Sequence, residues 1–174
     1  SNFKINYDNN PDKNILFCLQ IEYDTQVIFL NYAQWVKDYI LLIRRYSKRK
    51  IIIRKHPKDN TEFFINFTKW LQDIKFKNYE VSNNSLDDNF KNAYCVVALN
   101  STVLVDAVLK SIPIIAGHYS SIVYEIAEKK IKNINNLQKF SKENIINCLS
   151  KIAYKQWSLE EIKNGTAFPY YIKN

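Results

Sequence analysis

The chain has 174 residues, of which 47% are hydrophobic and 24% are charged, and its formal net charge is +8. This length and composition are typical of one globular domain and exclude a disordered or collagen-like chain. A net charge of this size is compatible with an anionic partner, whether nucleic acid, a membrane surface or an anionic substrate.

Strands and helices are predicted to alternate along the chain. Short apolar runs rich in β-branched residues predict strands at 14–20, 50–55, 79–81, 94–99 and 114–116. Apolar residues at helical spacing predict helices at 32–46, 59–74, 86–93 and 103–108. Further helices are expected within 118–130, from Ser141 onwards, and from Ser158 to Gly165. This order predicts an α/β fold with a doubly wound parallel sheet, which is a Rossmann-like domain.

The basic residues are mostly scattered, with one cluster between Arg44 and Lys50. This cluster follows a predicted helix, where cations offset the helix dipole, so it has a structural interpretation. Because the sequence lacks a recognition motif for nucleic acid, we do not expect nucleic acid as a partner.

The three cysteines, Cys18, Cys95 and Cys148, are far apart and lie in apolar contexts. They predict buried thiols in a reducing compartment. With only 2 histidines and no carboxylate cluster, we predict no metal and no cofactor. The polar start is not that of a signal peptide, and no apolar run would span a bilayer. Since the chain contains no methionine, even at position 1, we expect residues 1–174 to be one domain of a longer protein.

Polar residues stand where the predicted strands end, which is the edge where ligands of such sheets bind. They occupy positions 20–24, 55–57, 100–102 and 117–119. The turn Asn100-Ser101-Thr102 opens a helix, and its hydroxyls and backbone N–H groups suit a phosphate. Taken alone, this turn favours ordinary helix capping.

Lys55-His56-Pro57 offers a fixed cation and an imidazole after the second strand. Pro57 ends the strand and restricts His56 to an extended conformation, so both donors are oriented towards one anion. An ordinary loop is the alternative interpretation. Two donor sets at one edge suit a diphosphate or phosphodiester, whose negative charge grows as a leaving group departs.

Several motifs of known enzyme classes are absent from the sequence. The absence of GxGxxG, Walker A and GxSxG motifs argues against dinucleotide-binding enzymes, P-loop enzymes and serine hydrolases. Glu22 and Asp24, after the first strand, are candidate catalytic residues, as a general base or as ligands of hydroxyl groups. Carboxylates at the edge of a sheet are also commonly just solvated, and that alternative stays open.

Three stretches together resemble the bacterial capsule polysaccharide biosynthesis family: LQIEYDTQV, IIIRKHP and ALNSTVLVDAVLKSIPIIAG. This family includes Kdo transferases with a GT-B fold. The HP and Ser/Thr motifs are also similar to those of bacterial sialyl- and polysialyltransferases. The resemblance extends over nearly the whole chain, including YKQWSLEEIKNGTAF near its end.

The resemblance implies a glycosyltransferase domain that binds a nucleotide-sugar, with a CMP-linked acidic sugar as the expected donor. It implies that Lys55 and His56 contact the donor phosphate, beside Pro57. The residues opposite would be Asn100, Ser101 and Thr102. The family's polar segment after its first strand is matched by Gln20, Glu22 and Asp24. Asp106 stands where the family tends to have Glu, and Leu104 where it usually has Gly.

The resemblance further implies that this chain is the C-terminal half of a GT-B enzyme of surface polysaccharide synthesis. The glycan or glycolipid acceptor would bind largely to the N-terminal half-domain. The enzyme would be cytoplasmic, either free or in peripheral contact with the inner membrane face. Two alternatives stay open: a non-catalytic Rossmann-like module that docks through its basic face, and a GT-B epimerase or transferase that uses a UDP-sugar.

Overall fold

The computed structural model describes residues 10, 12–138, 140–154 and 159–166. Five strands are formed, namely β1 (Asn14–Cys18), β2 (Ile51–Arg54), β3 (Tyr79–Ser82), β4 (Ala93–Ala98) and β5 (Ile114–Ala116). They make one sheet in the order β3-β2-β1-β4-β5, and every pairing is parallel. The predicted doubly wound, Rossmann-like sheet is therefore confirmed.

Helices connect and cover the strands. They are α1 (Tyr32–Tyr46), α2 (Phe63–Asp73), α3 (Leu86–Lys91), α4 (Val103–Leu109), α5 (Lys142–Tyr154) and α6 (Leu159–Lys163), with a 3₁₀ turn at Ile131–Asn133. Side chains of a strand alternate between the two faces of the sheet. Accordingly, Ile15 and Phe17 pack into one core layer with α1 and α2. Leu16 and Cys18 pack into a second layer with α4 and α5.

Strand order explains the burial pattern of the strands. Every residue of β4 is buried, because β4 lies between β1 and β5 and has helices on both faces. β3 is at one edge and exposes more of its residues. The order reverses between β1 and β4, so the carboxyl ends of these two strands form the topological switch point.

The helix predicted within 118–130 is wrong, since these residues form successive turns. The backbone N–H of Glu128 donates to Ile114, and its carbonyl accepts from Ala116, both at 3.1 Å. This bridge extends the edge of β5, so the chain follows the sheet here and does not complete a helix.

The predicted end of the last helix is confirmed, because Gly165 has the positive φ of 83° that favours glycine. Ser158 lies outside the described residues.

The start of α2 also differs from the prediction. The sequence offered Asp59, Asn60 and Thr61 as caps, but the helix begins at Phe63. Asp59 instead closes a turn, its Oδ1 accepting from the backbone N–H and the hydroxyl of Thr61 at 2.9 and 2.7 Å. Short polar side chains close such turns as readily as they cap helices.

The basic cluster lies at the opposite end of the sheet from the switch point, where α1 ends and β2 begins. Arg44 donates to the backbone carbonyls of Ser47, Arg49 and Asn78 at 2.9 to 3.0 Å. The guanidinium of Arg49 lies 3.9 Å from the ring centroid of Tyr94. These two arginines therefore hold loops together, in keeping with the structural interpretation of the cluster. Among the residues described, no helix is both long and apolar enough to cross a membrane.

Candidate functional site

A cleft of about 170 Å³ opens at the carboxyl edge of the sheet. The ends of β2 and β4 form its sides, and Cys18 and Leu19 at the end of β1 form its floor. Neighbouring strands lie about 4.8 Å apart, so the two sides are roughly 10 Å from each other. Six residues predicted from the sequence line the cleft, namely Lys55, His56, Pro57, Ser101, Thr102 and Asp106.

Positive charge dominates the cleft. Arg54, which the sequence did not single out, lines it together with Lys55. Arg54 donates through Nη1 to the carbonyl of Asn84, so the loop after β3 fixes its guanidinium. The Lys55 ammonium lies 5.6 Å from the ring centroid of Phe64. Neither cation is paired with a carboxylate within the described part of the chain, and Asp106 is the one carboxylate on the described walls. The cleft therefore suits an anion.

His56 is held by the turn that Pro57 begins. Its Nδ1 accepts from the backbone N–H of Lys58 at 3.2 Å, and its carbonyl accepts from the N–H of Asp59 at 3.0 Å. Because Nδ1 accepts a hydrogen bond, the neutral imidazole carries its proton on Nε2. The ring therefore lines the cleft with a single N–H donor in a defined position.

The hydroxyls of the turn after β4 are not used for helix capping. Thr102 occupies the N-cap position of α4 but forms no capping bond with its side chain. Ser101 Oγ accepts from the N–H of Val103 only at the long distance of 3.4 Å. Both side chains line the cleft and keep donor capacity for a ligand. Leu104 is fully buried in the core and does not line the cleft.

Gln20 and Asn100 are predicted site residues that lie outside the cleft walls and bind each other. The Gln20 amide donates through Nε2 to Asn100 Oδ1 at 2.9 Å, and Gln20 Oε1 accepts from the Asn100 backbone N–H at 3.3 Å. The Asn100 amide also donates to the carbonyl of Gln26 at 2.9 Å and to Ser120 Oγ at 2.7 Å. Both side chains are buried. They tie together the loops after β1, β4 and β5, and thereby hold the Ser-Thr turn in place.

Glu22 and Asp24 also lie outside the cleft walls. Asp24 closes its own loop, since its Oδ1 accepts from the backbone N–H of Gln26 at 3.0 Å. Burial raises the pKa of Tyr32, and the negative charges of Asp59 and Glu22 add to this rise. Glu22 therefore lies in the surroundings of the Tyr32 phenol. Neither Glu22 nor Asp24 lines the cleft, so the geometry gives no support to their candidate catalytic roles.

The floor of the cleft is chemically inert. Burial raises the pKa of the Cys18 thiol to about 12, although the charge of Arg54 acts in the opposite direction. Cys18 is therefore a neutral thiol near pH 7 and not a nucleophile. All three cysteines are free and buried, as the sequence predicted. Within the described ranges, no group of three His, Cys, Asp or Glu residues could hold a metal ion.

No family model matches the chain, and no curated protein matches it. Among solved structures, it is similar to a Methanocaldococcus jannaschii UDP-GlcNAc 2-epimerase in complex with UDP-GlcNAc and UDP. The TM-score is 0.45 and the sequence identity 14%, over 82% of this chain and 46% of the epimerase. The chain thus spans less than half the length of that protein. The assignment of the fold class rests on the sheet itself, and the resemblance to capsule polysaccharide enzymes stays a prediction.

Proposed function

We propose that this chain is the donor-binding domain of a GT-B glycosyltransferase of capsule or other surface polysaccharide synthesis, with a CMP-linked acidic sugar as its donor. One observation carries the proposal. The Arg54–Pro57 segment and the Ser101-Thr102 turn, which are distant in sequence, line one cleft at the switch point of the sheet. Fixed cations and hydroxyl donors around a small space fit a phosphate group.

The proposed chemistry follows from the charge that develops during transfer. When the bond between the sugar carbon and the phosphate oxygen breaks, negative charge accumulates on the departing CMP. Arg54 and Lys55 offset this charge, and the Nε2–H of His56 donates to a phosphate oxygen. Their positions are set before the donor arrives, so little reorganisation is needed as the charge grows.

The remaining cleft residues have complementary roles in this proposal. The hydroxyls of Ser101 and Thr102 donate to the other side of the phosphate, and Asp106 accepts from a hydroxyl of the ribose or the sugar. The acceptor glycan or glycolipid must lose a proton when it attacks. Asp106 is the one carboxylate among the described residues that line the cleft, and this proposal already uses it to bind a hydroxyl of the donor. We therefore assign the general base and the acceptor site to an N-terminal half-domain.

The direct test is a thermal-shift panel of CMP, CDP, UMP, UDP, AMP and GMP, each with and without EDTA. A ligand at 100 times its Kd stabilises by about 2.7 kcal/mol. This corresponds to a rise in Tm of roughly 5–10 °C for a chain of this size. We expect CMP to give the largest rise, and EDTA to leave it unchanged.

The other outcomes of the panel separate the alternatives. A larger rise with UDP would replace the CMP assignment by a UDP-sugar enzyme. No rise with any nucleotide would refute the donor-domain proposal, and salt-sensitive binding to anionic liposomes would then favour a non-catalytic docking module. His56→Ala and Ser101→Ala should each abolish the CMP shift. Ser150→Ala, at an exposed position on α5, is the matched control and should keep it.

A further inference from the structure

Three rings form a partly exposed cluster beside the cleft, at the carboxyl edge of the sheet. The ring centroid of His118 is 4.5 Å from that of Phe29 and 4.1 Å from that of Tyr119. Phe29 is 51% exposed and Tyr119 is 75% exposed. We call Phe29, His118 and Tyr119 the aromatic shelf. Flat rings left open to solvent next to a ligand cleft form a surface on which another planar ring can stack.

The aromatic shelf adjoins the cleft through the end of β4. Ser101 lines the cleft, and the preceding residue, Asn100, donates to Ser120 in the loop that carries His118. The cleft is centred over β1 and the shelf lies beyond the end of β5, with β4 between them. Along the sheet, two strand spacings separate them, which is about 10 Å. In a nucleotide the base and the phosphate are separated by the ribose, so one molecule can reach both places.

Hydrogen bonds fix the protonation of His118. The carbonyl of Gln26 can only accept a hydrogen bond, so the group of Asn100 that faces it must be the NH₂ group. The same NH₂ group faces Ser120. The Ser120 hydroxyl accepts from this amide, and its own proton can point to His118 Nδ1 at 2.8 Å. The backbone N–H of Ser120 also donates to Nδ1, at 3.2 Å. The neutral imidazole therefore carries its proton on Nε2 and offers one donor at the shelf.

We infer that the aromatic shelf binds the nucleobase of the nucleotide whose phosphate occupies the cleft. The base stacks on the exposed ring of Phe29 or Tyr119, and His118 donates from Nε2 to a ring nitrogen or carbonyl oxygen of the base. This inference rests on the proposed function, because it assigns the second part of the same binding site. A pyrimidine carries such acceptors on its edge, and every base has a face for stacking.

The test compares two ligands by isothermal titration calorimetry: CMP, and ribose 5-phosphate, which lacks the base. Loss of base stacking on an aromatic side chain weakens binding by about tenfold or more. We expect Tyr119→Ala and Phe29→Ala together to weaken CMP by at least that factor and to leave ribose 5-phosphate within twofold. His118→Ala should weaken CMP, and His118→Gln, which keeps an N–H donor, should restore part of the loss. Tyr46→Ala, at the opposite edge of the sheet, is the control.

The outcomes distinguish the inference from the proposed function. If His56→Ala abolishes CMP binding and the shelf variants bind CMP as tightly as the wild type, the shelf inference fails and the donor site stands. An equal loss of both ligands in the shelf variants would show that the rings act through the phosphate site or the fold, and would also overturn the inference. If the wild type binds neither ligand, the proposed function fails, and the shelf inference fails with it.

Discussion

Replacement of Asn100 by Asp tests whether the amide network holds the site together. Asn100 is 9% exposed at the end of β4 and joins the loops after β1, β4 and β5. Aspartate has the same shape, but it puts an oxygen where the NH₂ group donates. The substitution therefore removes two donors without opening a cavity, so the change in the free energy of unfolding reports polar interactions and not packing.

The expected cost follows from the partners that lose a donor. The carbonyl of Gln26 would face an oxygen, and loss of this part-buried hydrogen bond costs about 1 kcal/mol. The Ser120 hydroxyl can rotate and donate to the new oxygen, which recovers part of the loss. Burial of the carboxylate adds a further penalty. We expect Asn100→Asp to lower the free energy of unfolding by about 2–4 kcal/mol, and Tm by roughly 5–15 °C.

Urea unfolding followed by circular dichroism measures this change. The control is Ser101→Ala, one residue further along the chain, whose hydroxyl forms only the long bond to Val103. We expect a change below about 0.5 kcal/mol for Ser101→Ala, although the same substitution should abolish CMP binding. An Asn100→Asp variant as stable as the wild type would refute the assigned orientation of the Asn100 amide.

Two further predictions concern the packing and the acid sensitivity of the loop after β5. A Cβ added at Gly117 would overlap Cζ2 of Trp35, so Gly117→Ala should cost about 1–3 kcal/mol in urea unfolding. Trp35→Phe in the same chain should relieve part of this cost, whereas strictly additive effects would contradict the proposed clash. Burial opposes ionisation of Glu128, but hydrogen bonds from Lys130, Asn133 and Lys129 outweigh it and lower the pKa. This carboxylate therefore stabilises the fold above the ordinary pKa of about 4.3, and its contribution is lost as pH falls through the lowered value. In Glu128→Gln, the loss of stability between pH 7 and pH 3.5 should be smaller than in the wild type, and an unchanged pH dependence would contradict this assignment.

The placement of the predicted site residues follows in part from the sequence, because the ends of parallel strands meet at one edge. Once the strands are identified, Lys55-His56-Pro57 and Ser101-Thr102 must lie near that edge, whichever strands are neighbours. Their convergence in one cleft depends on strand order, since β2 and β4 flank β1. Local spacing does not determine this order.

The roles of other polar residues were not predictable from local sequence. Gln20 and Asn100 have the residue types of ligand contacts, yet they bind each other because β1 and β4 are neighbours. The sequence did not identify Arg54 as a cleft residue because it ends the apolar run of β2, whose side chains are expected to pack against the covering helices. His118 stood at a predicted strand end, but its contact with Phe29, far away in sequence, is what makes it part of the aromatic shelf.

The sequence by itself determined the five strands and most of the helices, because apolar spacing follows the period of each element. It also determined that the polar residues gather at one edge of the sheet. Only the tertiary structure decided which of them line the cleft and which bind one another. The physical reason is that a buried polar side chain takes its partners from neighbouring strands, and strand order is set by packing over the whole chain.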